Sequence, residues 1–148
     1  MKGSSKLRET LRELFASQKF AALATEDGGK PHNCLVAFAA TDDLKHLLFA
    51  TSRDTSKYRN LMTESRVAIL VDSRSNQDSD FRNAIAVTAR GIAEEAKGNE
   101  KARLVEIYLA KHPQLADFVN STENALIKAT INDYVISTFS NVTTLRPP

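Results

Sequence analysis

Two apolar runs separated by Asp27-Gly28-Gly29 constrain the fold more than any other feature of this chain. Such a tripeptide between apolar runs is a strong signal for a β-hairpin, because glycines accept the positive φ angles of a tight turn. The runs at 20–25 and 32–39 are therefore predicted to be adjacent antiparallel strands. The sheet is expected to begin with this hairpin.

Further apolar runs follow, and turns rather than helices separate most of them. Strands are predicted at 46–51, 66–72, 83–96, 125–131 and 134–140, and the tail 142–148 is expected to be extended. Phe38 and Leu48 are expected to pair across the second hairpin. The nearly continuous apolar run at 66–72 is typical of a strand buried on both faces. Gly91 predicts a bulge or bend, and Asn132-Asp133 predicts the last turn.

Helical periodicity occurs in only a few segments. Apolar residues at i, i+4, i+7 and i+8 predict a helix at about 5–18, with Ser4 or Ser5 as its N-cap. Further helices are predicted at 56–64, capped by Thr55, from Gly98 to His112-Pro113, and briefly around 115–119. Because strands and helices do not alternate, a parallel doubly wound sheet is disfavoured, and a small barrel with attached helices is expected.

Composition limits the classes of function. The 148 residues are 42% hydrophobic and 26% charged, which indicates one globular domain spanning 1–148. A well-mixed net charge of +2 argues against nucleic acid as a partner. No apolar run approaches the roughly 18 residues of a membrane span. The lone Cys34 excludes an intramolecular disulfide, and residues 1–17 lack the apolar core of a signal peptide, so a cytoplasmic location is expected.

Residues with metal-binding or catalytic chemistry are scattered. His112 is expected to cap a helix end, and His46 is expected to be exposed. Asp72, Asp78 and Asp80 bracket a polar loop that could hold a cation, but they lack the EF-hand pattern, so no metal site is predicted. No G-x-S-x-G nucleophile motif is present, and no catalytic side chain is assigned.

The corner at 49–61, where a strand ends and a helix begins, concentrates groups that bind anions. Hydroxyls, Lys57 and a helix N-terminus lie within one short turn, a combination that suits a phosphate. The spacing alone also fits a capped helix on a solvated surface.

Several segments together resemble a known family. They are Pro31–Val36, Leu48–Thr51, Ser56-Lys57, Asn60-Leu61, Arg66–Leu70 and Val87–Gly91. In order, interval and strand context they resemble the FMN-binding split barrel of the pyridoxamine 5′-phosphate oxidase-like superfamily, over about residues 20–91. The segment 72–77 resembles one uncharacterised branch. The resemblance implies a mainly β protein, an antiparallel split β-barrel of Greek-key type with peripheral helices. It also implies a homodimer with FMN in a cleft between the subunits.

Matched residue by residue, the resemblance implies an FMN site built from two strands, a helix start and a loop. Its residues are His32, Asn33, Cys34, Leu35, Val36, Ala50, Thr51, Ser52, Ser56, Lys57, Asn76 and Gln77. The segment 33–36 would pass the flavin ring, and 50–51 would lie beside the ribityl-phosphate. Ser56 and Lys57 would grip the phosphate, with Ser52 and Arg53 assisting.

The remaining matched residues carry less definite roles. Asn76 and Gln77, in the polar loop 73–81, would reach the partner's flavin. His32 could bond the flavin or a substrate, or simply pack. Cys34 is interpreted as a small buried filler rather than a nucleophile.

Departures from the family pattern concern the substrate. Asn33 and Phe38 stand where the oxidases that act on vitamin B6 carry Arg and Lys, Ser56 replaces an Arg, and the chain has no Trp. These differences argue against B6 vitamers and leave the substrate and electron donor open. Three functions follow: an FMN-dependent oxidoreductase, a non-catalytic flavin or haem sensor, and a structural dimer with an empty cleft.

Overall fold

A computed structural model describes residues 2–148, which form seven strands and five α-helices. The strands are β1 (Phe20–Asp27), β2 (Lys30–Ala40), β3 (His46–Ser52), β4 (Arg66–Asp72), β5 (Ala86–Glu95), β6 (Asn124–Ser137) and β7 (Val142–Leu145). The helices are α1 (Lys2–Ser17), α2 (Ser56–Thr63), α3 (Asp80–Asn83), α4 (Gly98–Lys111) and α5 (Ala116–Asn120), with a 3-10 turn at Pro113–Leu115.

The sheet closes on itself. Its strand order is β3-β2-β1-β4-β5-β6-β7, every pairing is antiparallel, and β3 also pairs with β6. Strands β1 to β6 therefore form a six-stranded barrel, and β7 is an extra strand beside β6. Because β4 returns to lie beside β1, the order β3-β2-β1-β4 is that of a Greek key. The predicted antiparallel barrel with peripheral helices is confirmed.

The first hairpin turns where its glycines predict. Gly28 and Gly29 have φ angles of 56° and 87°, and Asp27 pairs with Lys30. The second hairpin differs from the prediction by one residue, because Phe38 pairs with Phe49 rather than with Leu48. Both rings are fully buried, so this register places the two bulky side chains in the core.

The outer face of β4 is open in the single chain. Val67, Ile69 and Val71 are buried, whereas the alternating residue Leu70 is 36% exposed. The prediction that this strand is buried on both faces is therefore wrong for the single chain. A strand with one covered face alternates in burial even when its sequence is continuously apolar.

Residues 124–137 form one strand, so the predicted turn at Asn132-Asp133 is wrong. The register between β5 and β6 shifts at Arg90/Gly91, and Asn132 is the extra residue of a β-bulge. The bulge at Gly91 is confirmed. The extended tail is confirmed in part, since 142–145 form β7 against 134–137. The strand predicted to start at Asn83 begins at Ala86, because 80–83 form α3.

The helices pack against two different parts of the barrel: α1 contributes to the main core, whereas α4 and α5 pack on a second cluster that includes Ala39, Leu48 and Leu126. α1 begins at Lys2, so Ser4 and Ser5 lie inside it and do not cap it. Its Leu11, Leu14 and Phe15 are buried, as their spacing predicts. His112 is the C-cap of α4, as predicted, and its backbone N–H donates to the Tyr108 carbonyl at 3.0 Å. Its ring, however, is buried with Nε2 2.7 Å from the Phe38 carbonyl oxygen of β2 rather than bonded to its own helix.

Between residues 2 and 148, no helix combines the length and the apolar character that a bilayer crossing demands.

Candidate functional site

The corner between β3 and α2 is organised by Thr55, the predicted N-cap. Its Oγ1 accepts a hydrogen bond from the Tyr58 N–H at 3.1 Å and donates to the Ser52 carbonyl at 2.8 Å. The Thr51 hydroxyl lies 3.2 Å from the same oxygen. The cap is thereby confirmed. The hydroxyls of Thr51 and Thr55 serve the turn itself, so other groups must meet a ligand.

Ser56 and Lys57 are those other groups, at the first two positions of α2. Ser56 is exposed, and its Oγ accepts only a long 3.4 Å bond from Arg59. Lys57 is half-buried and forms no ion pair with any residue from 2 to 148. The backbone N–H groups of a first helical turn also lack intrahelical partners. The first turn of α2 thus brings hydroxyl, ammonium and amide donors together.

Arg53 does not belong to this donor set. Its Nη2 lies 2.6 Å from Glu95 Oε2, and its Nη1 donates to the Thr122 carbonyl at 2.6 Å. Tyr58 also donates its hydroxyl to Glu95, at 2.8 Å. Hydrogen bonds from Arg53 hold the pKa of Glu95 below its usual range. Its guanidinium is therefore already bound within the protein, and the assisting role suggested for Arg53 stays a prediction.

The β2 segment of the expected site presents alternating faces. Val36 is buried, Cys34 is half-buried against the core, and Leu35 is 72% exposed on the outer face. His32 and Asn33 are exposed near the hairpin turn. Burial raises the pKa of the Cys34 thiol, which the charge of Lys57 partly offsets. A half-buried thiol of raised pKa agrees with the interpretation of Cys34 as a filler.

Helix α2 brings the corner to the same end of the barrel as the start of β2. Asn60 Nδ2 donates to Thr25 Oγ1 at 3.3 Å, and both residues are buried. Thr25 pairs with His32 across the hairpin. The contact of Asn60 with Thr25, and the pairing of Thr25 with His32, bring α2 close to the start of β2.

Asn76 and Gln77 lie apart from the corner. They line an open cavity of about 600 Å³ that no corner residue lines. Asp72 and Arg74, also in its wall, join it to a smaller cavity of about 190 Å³ that contains Leu35. Within one chain, therefore, the loop approaches the outer face of β2 but not the phosphate corner.

Two exposed phenylalanines in this cavity were not singled out by their sequence patterns. Phe81 and Phe139 are 63% and 71% exposed, and their ring centroids lie 5.0 Å apart. Phe139 falls in a predicted strand and Phe81 ends a polar loop, so neither position signals a site. Only the fold brings α3 and the turn after β6 together.

Between residues 2 and 148, no three His, Cys, Asp or Glu side chains lie together in an arrangement that could hold a metal ion. Asp80 instead accepts hydrogen bonds from the N–H groups of Ser75 and Asn76 and shapes their loop. His46 was predicted to be exposed, but it is half-buried, and burial lowers the pKa of its ring.

The profile of the pyridoxamine 5′-phosphate oxidase family matches residues 7–134. The chain belongs to this family. No protein with curated annotation matches it in sequence.

Solved structures share the fold. A heme binding protein from Mycobacterium smegmatis superposes with a TM-score of 0.83 at 18% identity, over 94% of this chain and 57% of that one. General Stress Protein 26 from Bacillus anthracis superposes with a TM-score of 0.72 at 18% identity, over 95% of this chain and 98% of that one. A FAD-binding protein from Mesorhizobium loti superposes with a TM-score of 0.66 at 16% identity, over 84% of this chain and 88% of that one. At these identities the likeness shows the fold alone, and this chain spans little more than half of the heme binding protein.

Proposed function

We propose that this protein is an FMN-binding flavoprotein and acts as an oxidoreductase on a substrate other than a B6 vitamer. The observation that carries the proposal is the donor set of Ser56 and Lys57 at the start of the eight-residue helix α2. A flavin phosphate carries nearly two negative charges, which an ammonium, a hydroxyl and helix N–H groups bind by charge-assisted hydrogen bonds. Lys57 has no protein carboxylate within residues 2–148 to neutralise it.

The ring of the flavin is proposed to lie along 33–36 of β2, with Ala50, Thr51 and Ser52 beside its ribityl-phosphate. These strand segments converge on the corner, and the exposed Leu35 supplies an apolar surface. Bound FMN supplies the hydride or electron transfer, while the protein binds and orients it. Phe38 is buried in the core, so it offers no charge to a substrate phosphate, which supports a substrate different from that of the B6 oxidases.

We further propose that two subunits form the site. Across neighbouring strands, Leu35 of β2 pairs with Ala22 of β1, which pairs with Leu70 of β4. This row, Leu35–Ala22–Leu70, is apolar and lies on the outer face, where Leu35 and Leu70 are exposed. An exposed apolar row is typical of a protein interface. A dimer through this face would let Asn76 and Gln77 approach the partner's flavin.

A non-catalytic haem-binding protein or sensor is the second candidate, suggested by the M. smegmatis relative of the same fold. His112 is buried against a carbonyl and His46 is half-buried, so the exposed His32 is the histidine best placed to reach a haem iron. The spectrum of the purified protein separates the candidates. Flavin absorbs near about 450 nm, whereas haem shows a Soret band.

Replacing Lys57 tests the phosphate site directly. Lys57→Ala is expected to weaken FMN binding by about 1–3 kcal/mol, because one charge-assisted contact is lost. Riboflavin, which lacks the phosphate, should bind the variant and the wild type equally. Fluorescence titration measures both affinities.

Lys45→Ala, at an exposed turn, is the matched control for the change of charge. It should leave FMN affinity unchanged. Equal FMN affinity in Lys57→Ala and wild type would falsify the assignment of Lys57 to the phosphate.

A further inference from the structure

One cavity of the described chain has an aromatic wall. It lies between the loop 73–79, α3 and the end of β6, and it holds about 600 Å³. Phe81 and Phe139 meet in it with an interplanar angle of 55°. Both rings are mostly in water in the single chain, although neighbouring phenyl rings gain free energy when their faces are covered.

The polar part of the wall is net negative. Asp72, Asp78 and Asp80 line the cavity, and Arg74 is its only cation among residues 2–148. Arg74 Nε is paired with Asp72 at 3.0 Å, which leaves two carboxylates without a cation in the cavity. Negative walls repel anions and favour neutral or cationic molecules. This cavity therefore has the opposite charge preference to the Lys57 corner.

The loop on one side of the cavity is held in place. Asp80 accepts hydrogen bonds from the Ser75 N–H at 2.9 Å, the Ser75 hydroxyl at 2.9 Å and the Asn76 N–H at 2.8 Å. These bonds support Asn76 at a φ of 62°. The amide side chains of Asn76 and Gln77 remain exposed and can bond the edge of a ligand. A loop already ordered loses little entropy when it binds.

We propose that this cavity binds a planar aromatic molecule of one or two rings that is neutral or positively charged. The rings of Phe81 and Phe139, whose centroids lie 5.0 Å apart, pack together against one face of the molecule, the amides bond its edge, and Asp78 favours a cationic substituent. A role of this molecule as the flavin's reaction partner rests on the proposed function, in which Asn76 and Gln77 approach the flavin of the other subunit. Binding of the molecule in the cavity does not depend on the proposed function.

Indole compounds make a direct test, because the chain has no Trp and the indole fluorescence comes from the ligand alone. Tryptamine and indole-3-propionate share a ring but differ in charge. Tryptamine is expected to bind saturably and about fivefold or more tighter than indole-3-propionate, measured by fluorescence anisotropy at low salt. Absence of saturable tryptamine binding, or equal affinity for the two compounds, overturns the proposal.

Variants locate the binding. Phe139→Ala should weaken tryptamine binding about fivefold or more, because one stacking face is lost. Val142→Ala removes a side chain that is 70% exposed outside the cavity and should change nothing. Asp78→Asn should narrow the preference for tryptamine over indole-3-propionate. Equal effects of Phe139→Ala and Val142→Ala, or an unchanged preference in Asp78→Asn, contradict the proposed site.

Two further measurements separate this inference from its alternatives. Lys57→Ala, which should lose FMN affinity, should bind tryptamine normally, so failure of the flavin site and failure of the aromatic site are distinguishable. A second copy of the chain could instead cover the aromatic pair. In that case Phe139→Ala would weaken self-association in sedimentation and tryptamine would not bind the wild type, which overturns the proposal.

Discussion

Gly91 makes the bend of the barrel possible at a single position. A Cβ atom there would lie 2.2 Å from the Thr130 carbonyl oxygen, far inside van der Waals contact. That oxygen belongs to the backbone of β6, next to the bulge at Asn132. It cannot move without disturbing the pairing of β5 with β6. Glycine is therefore required at position 91 because there is no room for a side chain, and not because of an unusual φ angle.

We expect Gly91→Ala to lower the free energy of unfolding by about 3 kcal/mol, at the upper end of overpacking costs, because the colliding atom is backbone. Urea denaturation measures the loss. Gly3→Ala is the matched control: its Cβ meets nothing within 4 Å, and alanine suits helix α1. If both variants were as stable as the wild type, the close approach at Gly91 would not exist in solution.

At the level of elements, hydrogen bonds to Glu95 connect the corner between β3 and α2 with the end of β5. Glu95 stands at the end of β5 and accepts hydrogen bonds from Arg53, before α2, and from Tyr58, within α2. Arg53 in turn donates to Thr122, just before β6. One mostly buried carboxylate thereby fixes the start of α2, on which the orientation of Lys57 depends.

We expect Glu95→Gln to lower the free energy of unfolding at pH 7 by about 1.5–3 kcal/mol, because the ion pair with Arg53 is lost and the hydrogen bond from Tyr58 then goes to a neutral acceptor. The folded-state pKa of Glu95 lies below its ordinary value of 4.5, so its stabilising contribution is present above about pH 4.5 and disappears as the pH falls through the folded pKa. The stability difference between wild type and variant should therefore shrink on acidification. Urea denaturation at pH 7 and pH 3 checks the sign.

Glu106→Gln, an exposed site on α4, is the control and should stay within about 0.5 kcal/mol of the wild type at neutral pH. A Glu95→Gln difference that grows toward acid pH contradicts the ion-pair explanation.

For the whole molecule, the decisive surface is the apolar row of Leu35, Ala22 and Leu70. Its residues are neighbours only through pairing of three strands, and Phe20 adds a further exposed ring two positions along β1. The Asn76 loop adjoins the same face through the cavities that share Asp72 and Arg74. A dimer through this surface would bury the row and join two incomplete flavin sites.

We expect Leu70→Asp to convert the proposed dimer to a monomer and to weaken FMN binding at the same time, because each site needs the other subunit. Sedimentation equilibrium with flavin absorbance measures both. Val142→Asp introduces the same charge at an exposed apolar position on β7 and should leave the dimer intact. A wild-type monomer that binds FMN tightly would contradict the two-subunit site.

Local sequence signals predicted the parts of this protein that depend on neighbouring residues. The Gly28-Gly29 hairpin, the Thr55 cap of α2 and the bulge at Gly91 each follow from the conformational limits of a few residues. The succession of apolar runs without alternating helices was enough for the antiparallel barrel class. The family resemblance added the candidate residues of the flavin site, including Lys57.

Long-range contacts decided the rest. Asn132-Asp133 has the composition of a turn, yet it lies within β6, because that strand pairs with both β3 and β5 and needs a bulge rather than a reversal. Arg53 resembles a phosphate ligand in sequence, but Glu95, 42 residues away, binds its guanidinium. Phe81 and Phe139 meet only because the chain returns to α3 after β6. Sequence determines local conformation through sterics and capping, whereas the availability of a charge or an aromatic face depends on partners that only the tertiary structure supplies.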